Sequence, residues 1–177
     1  LAYFRAAMRK ALARHKIESV PFISLPQAKA KARRRVLTRT ELGRLMAALN
    51  APETPLHLRG FVMISLHTGQ RGIHVRNLKW ADVDFNEGWL FFTRSNPDAA
   101  DNKQCADAVV TKGLAPVLLE LQRAARSAFV IEWEGGQVAS LKKSFAALAA
   151  RAGLADFHIH DIRRSFATLG AMENIPI

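Results

Sequence analysis

The stretch His160-Asp161-Ile162-Arg163-Arg164-Ser165-Phe166-Ala167-Thr168 decides how this chain is read. It has the pattern of the opening turns of a helix, and it sets a histidine and an arginine three residues apart, on one helical face. A guanidinium beside an imidazole suits a phosphate oxygen, because the planar fork of arginine grips two oxygens while histidine donates or accepts a proton. Two further residues extend the pattern: Arg71 in Thr68-Gly69-Gln70-Arg71, and Lys103 in a predicted strand connection. Each has a plainer reading taken alone. Arg71 could pair with Asp82 or Asp84, Lys103 could be a surface lysine, and His160 could cap its helix. Their order and spacing together favour the phosphate.

Working outward, the segment from about Asp161 predicts a helix with Ile162, Phe166 and Leu169 on its buried stripe and His160, Arg163 and Arg164 opposite. Residues 138–152 predict a helix with Leu141, Phe145, Leu148 and Ala152 inward, stopped by Gly153. Residues 129–133 predict a short strand ending in the turn Glu134-Gly135-Gly136-Gln137, and residues 114–127 a helix. Residues 89–93 and 108–111 predict paired strands across a polar connection that holds Lys103. Upstream, residues 58–67 predict a mostly apolar core helix closed by Gly69, and a second helix begins near Arg71 with Ile73, Val75 and Leu78. Thr38-Arg39-Thr40-Glu41 matches a capping box, followed by the helical face Leu42, Leu45, Met46 and Leu49. These elements predict a mainly α fold with a small antiparallel β-sheet.

The N-terminal part differs in composition. Residues 1–17 predict a helix with Phe4, Met8, Ala11 and Leu12 on one face, and residues 20–35, with Pro21, Pro26 and a run of Lys and Arg, predict an extended linker. We expect three parts: residues 1–20 as the closing helix of a preceding domain, 21–35 as a basic linker, and 36–177 as the compact domain.

The formal net charge is +11, and it is regional. Residues 1–50 hold 12 Lys and Arg against two Glu, and the other 127 residues are nearly balanced, with 14 bases and 13 acids. A one-signed basic field attracts polyanions, and each phosphate it neutralises releases counterions. Nucleic acid is the favoured partner over an anionic membrane surface. Cys105 is the single cysteine, which excludes an internal disulfide and fits a reducing compartment. No apolar run approaches the roughly 20 residues that cross a bilayer. His158-Ile159-His160 could suggest a metal pair, yet no cysteine or carboxylate cluster nearby completes a site.

On Arg35-Val36-Leu37-Thr38, Thr68-Gly69-Gln70-Arg71, Leu78-Lys79-Trp80-Ala81-Asp82-Val83-Asp84, Asn102-Lys103, Ala152-Gly153-Leu154 and the His160 helix, residues 35–177 resemble the catalytic domain of the tyrosine recombinase, or phage integrase, family. The resemblance implies site-specific DNA recombination through a 3′-phosphotyrosyl intermediate. Arg71 and Arg163 would clamp the scissile phosphate, Lys103 would be the general acid with Lys112 as its rival, and His160 would assist proton transfer. It implies no metal or other cofactor, no small-molecule substrate and no membrane. The partners would be double-stranded DNA and further copies of the protein, in the bacterial cytoplasm at the nucleoid, and a prophage origin.

Two departures from the family stand out. Three positions after the first arginine, where the family usually has an acid, the chain has His74. The family's tyrosine nucleophile follows the His-x-x-Arg helix by some tens of residues, whereas the chain stops at Ile177, and Tyr3, its single tyrosine, lies in the wrong segment. The expectation is therefore a chain that binds DNA and holds the phosphate but does not cleave alone. A non-catalytic DNA-binding remnant and a type IB topoisomerase-like enzyme stand as alternatives.

Overall fold

The computed structural model describes residues 2–22, 34–97 and 105–172. Lys103, most of the predicted basic linker and the last five residues lie outside them. The chain divides into two compact units, Leu1–Arg33 and Arg34–Ile177.

The first unit contains α1, Ala2–Ala13. His15 ends it with a positive φ of 51°, the Lys16 amide reaching back to the Ala11 carbonyl and the His15 amide to that of Leu12. This is a Schellman stop, with histidine where glycine is usual. Tyr3, Phe4 and Leu12 on α1 are exposed.

The second unit is built around α3, Leu56–Thr68, whose Leu58, Phe61, Val62 and Ile64 are all buried. Its mean composition is apolar all round, which is the signature of a helix surrounded by others. It packs against α8 (Ile159–Met172), α6 (Ala115–Ala124) and the short α4 (Gly72–Asn77). Gly60 permits the α6 contact: a β-carbon there would press into Leu121. On the other side α2 (Arg39–Leu49) packs on α7 (Lys142–Arg151), burying Leu45, Leu49, Phe145 and Leu148.

The predicted capping box is present. Thr38 Oγ1 accepts from the Glu41 amide and Glu41 returns a bond to the Thr38 amide at 3.0 Å. Gly153, φ 63°, closes α7 as expected, with the Leu154 amide bonded to the Ala149 carbonyl.

A three-stranded antiparallel sheet orders β1 (Val83–Asp84), β2 (Trp89–Leu90) and β3 (Ala108–Val109), with Trp89 opposite Val109. The expected β2–β3 pairing is there, and β1 was not foreseen. The strand predicted over residues 89–93 stops at Leu90, because the chain winds into the short helix α5, Phe92–Ser95. Asp107 holds that turn, accepting both the amide and the hydroxyl of Thr93 at 2.9 Å. A hairpin pairs β4 (Glu132–Trp133) with β5 (Gly136–Gln137) across Glu134 and Gly135, whose φ values of 52° and 77° suit a two-residue turn of the I′ kind. No helix among the described residues is long and apolar enough to cross a membrane.

The buried stripe of α8 also differs from expectation. Asp161, Ile162 and Ser165 are buried, whereas Phe166 and Leu169 are only half-buried. Ser165 Oγ accepts the Leu37 amide at 3.0 Å, tying α8 to the start of the unit, and its own proton goes to the Asp161 carbonyl.

Candidate active site

Two helix ends meet at the site. α3 finishes at Thr68, and Gly69 turns the backbone with φ 62° and ψ 14°. Phe166 of α8 packs against this glycine, so a β-carbon at Gly69 would clash with the ring as well as being strained. Two residues on, Arg71 is the N-cap of α4. From the other side, α8 opens with the His158 amide bonded to Asp161 Oδ2 at 2.9 Å, half of a capping box, while Asp161 Oδ1 accepts from Arg164 at 3.0 Å. Arg164 is thereby turned away from the phosphate role and into the helix start.

Arg163 crosses from α8 to the α3–α4 turn, where its guanidinium donates to the Gly69 carbonyl. That one bond brings the two arginines of the sequence motifs together. Arg71, His160 and Arg163 line a cleft of about 950 Å³, floored by Phe61, Phe145 and Leu154. His160 is exposed at its rim, in the first turn of α8.

The electrostatics separate Arg163 from ordinary surface arginines. Arg163 is held below its usual value, first by burial and then by the charge of Arg71. No carboxylate among the described residues acts to raise it. Two like charges converging in a half-buried cleft repel each other, and an anion bound between them relieves the repulsion. Of the two carboxylates considered for Arg71, Asp82 accepts from Ser95 Oγ at 2.6 Å, and Asp84 takes the amides of Asn86 and Glu87.

His74 is 3% exposed, on the inner face of α4. Burial, Arg71 and Arg163, in that order, push its pKa down, so it stands neutral behind the arginines. Cys105, also near the pair, has its thiol pushed up to about 11 by burial above all, which leaves it a poor nucleophile. Lys112 is exposed beyond β3 and is not among the residues lining the cleft. Among the described residues no group of three or more His, Cys, Asp or Glu could hold a metal ion.

This geometry sits on a fold with known counterparts. A family model described as the phage integrase family matches residues 35–177. The chain belongs to the phage integrase family. The integrase of Salmonella phage P22 is 26% identical to it over 194 residues, covering all of this chain and 47% of the phage protein. The structure of a lambda integrase dimer bound to a COC′ core site superposes with a TM-score of 0.68, at 21% identity, over 97% of this chain and 64% of that one. The Tn1549 transposon integrase in complex with circular intermediate DNA gives 0.67 at 15% identity, again over 97% and 64%. The integrase-family chain thus spans about half the length of its P22 relative, and its helical architecture with small antiparallel sheets is that of tyrosine recombinase catalytic domains.

Sequence reasoning singled out Arg71, His160 and Arg163, and all three line the one cleft. It passed over Gln70, which is 6% exposed and central to the turn. No local signal marked it, because the partners that bury its side chain, Ala106 and Cys105, lie 36 and 35 residues away in the chain.

Proposed function

We propose that these residues form the phosphate-holding part of a site-specific DNA recombinase that cuts and rejoins strands through a 3′-phosphotyrosyl intermediate. In this reading Arg71 and Arg163 grip the non-bridging oxygens of the scissile phosphodiester. A tyrosine hydroxyl, carried by a longer protein that contains this segment, attacks phosphorus. The bond to the 5′ oxygen breaks, and that oxygen leaves with a proton from Lys103, or from Lys112 in its place. His160 assists proton transfer at the rim. Attack by a 5′ hydroxyl of a partner strand reverses the step and frees the tyrosine, so the bond energy is conserved and no nucleotide cofactor is consumed.

The observation that carries this reading is the bond from Arg163 to the Gly69 carbonyl, which sets two arginines side by side with no carboxylate acting on Arg163 among the described residues. Such charge stabilises a transition state only if it is not already neutralised. The family membership of residues 35–177 supports the same reading. Double-stranded DNA as ligand, self-association on it and action at the bacterial nucleoid belong to this proposal, in line with the lambda integrase dimer seen on its core site.

The test extends the chain with its native downstream sequence and incubates it with a nicked suicide substrate. A covalent protein–DNA adduct is expected, lost in Arg71→Ala and Arg163→Ala while duplex binding persists. Binding without any adduct in the wild-type protein would favour a non-catalytic remnant.

A further inference from the structure

The turn that brings the arginines together is itself anchored by a buried side chain. Gln70 stands between Gly69 and Arg71. Its Nε2 donates to the Ala106 carbonyl, and its Oε1 lies 3.4 Å from His74 Nδ1 and 3.9 Å from Cys105 Sγ. The backbone amide of Gln70 donates to Thr68 Oγ1 at 3.3 Å, and the Thr68 hydroxyl is spent on the Ile64 carbonyl at 2.7 Å. The bonds from the Gln70 side chain therefore reach beyond the turn, to α4 and to the segment entering β3.

The proton positions follow from elementary chemistry. A backbone carbonyl only accepts, so the amide nitrogen of Gln70 faces Ala106 and its oxygen faces His74 and Cys105. That oxygen also only accepts, so His74 carries its proton on Nδ1 and its Nε2 is bare. A neutral imidazole is required, since a cation there would face Arg71 and Arg163.

We infer that Gln70 is a positioning residue for the arginine pair, fixing the turn whose Gly69 carbonyl holds Arg163 and whose next residue is Arg71. The inference rests on the reading of that pair as a phosphate clamp. Gly69 sits in a permissive conformation and is met from the α8 side by Phe166 and Arg163. The link from Ala106 through Gln70 to His74 holds the turn from the side of α4 and the segment entering β3. His74 then has a defined place where an acid is the family's habit: it supplies a neutral donor to Gln70 rather than a charge to Arg71.

The test uses Gln70→Met, which keeps length and packing and removes both hydrogen bonds, with Gln70→Glu as the fallback if the methionine variant does not fold. In ¹⁵N-resolved spectra of the 177-residue chain, wild-type His74 is expected to carry its proton on Nδ1, and the variant to lose that fixed tautomer and shift the guanidinium signals of Arg71 and Arg163. In the extended protein, the variant is expected to cut saturating DNA at least about tenfold more slowly, with half-saturation moved less than about twofold. A folded variant that cleaves within twofold of wild type overturns the inference, as does a wild-type His74 protonated on Nε2. If the wild-type extended protein forms no adduct, the recombinase reading falls separately. Gln70 is then judged by the guanidinium signals alone, and unchanged signals overturn its positioning role.

Discussion

Two arginines of the same unit have been treated in opposite ways. At the entrance to α2, Arg35 is bonded through both terminal nitrogens to the carboxylate of Glu41, with one bond at 3.0 Å, and also stacks 5.7 Å from the Phe157 ring. The bond to Glu41 raises its pKa, and Glu41 is held down to about 2 by Arg35 and the Thr38 amide. At the α3–α4 turn, Arg163 is given a backbone carbonyl and the company of Arg71, and its pKa falls. A charge that is paired stabilises the fold; a charge left converging on another is held in reserve for an anion. The contrast sets an arginine paired with a carboxylate, Arg35, against one that meets a carbonyl and a second arginine, Arg163, and under the proposed function only the latter meets phosphate.

The sharpest break in that contrast comes from the glycine that makes the second region possible. Gly69→Ala is expected to cost about 3 kcal/mol, combining a left-handed backbone with a clash against Phe166, and to abolish the adduct; urea denaturation measures the first. Next, Arg163→Met should slow cleavage by about a hundredfold to a thousandfold while changing stability by less than about 1 kcal/mol, since relief of repulsion offsets the lost hydrogen bond. Arg35→Met should do the reverse, costing about 2 kcal/mol through its broken charge-assisted pair and leaving cleavage unaltered. Equal effects of the two substitutions on cleavage would erase the distinction between the regions.

The smallest effects are in the pH dependence of stability. Glu41 has a depressed pKa, so its contribution is complete above the ordinary carboxylate range near about 4.3 and is lost as pH falls toward about 2. Glu41→Gln should flatten that acid limb. His57, His67 and His74 are all lowered by burial, so the unfolded chain takes up protons first and stability should begin to fall below about pH 6.5. A melting temperature constant from pH 7 to 5 would contradict the buried neutral histidines.

Local rules made much of this fold readable. Thr38 with Glu41, Gly69 and Gly153 are helix ends written in adjacent residues, and each was legible. What escaped depended on partners remote in the chain. Residues 89–93 read as a strand, yet Asp107 captures Thr93 and residues 92–95 wind into α5. Residues 138–141 look helical, yet Arg76 binds the carbonyls of Val138 and Ala139 and α7 starts only at Lys142. On α8 the hydrophobic pattern favoured Phe166 and Leu169, but Ser165 accepts a hydrogen bond from the Leu37 amide and Asp161 accepts from the His158 amide and the Arg164 guanidinium, and these two are the buried ones. That His160 and Arg163 share the start of α8 was legible because spacing on a helix is local. That Arg71 lines the same cleft depends on the α3–α4 turn meeting α8, Lys103 lies outside the described residues, and the contact of Gln70 to Ala106 is remote in the chain.

The central claim of the proposed function is that Arg163, on which no carboxylate acts among the described residues, meets the charge of a scissile phosphate. Cleavage by the extended wild-type and Arg163→Ala proteins on two suicide substrates tests it most directly, one natural and one with an uncharged methylphosphonate at the scissile position. The account predicts that Arg163→Ala is severely slow on the natural phosphate and close to wild type on the methylphosphonate. An equal loss on both substrates would show that Arg163 acts on something other than phosphate charge.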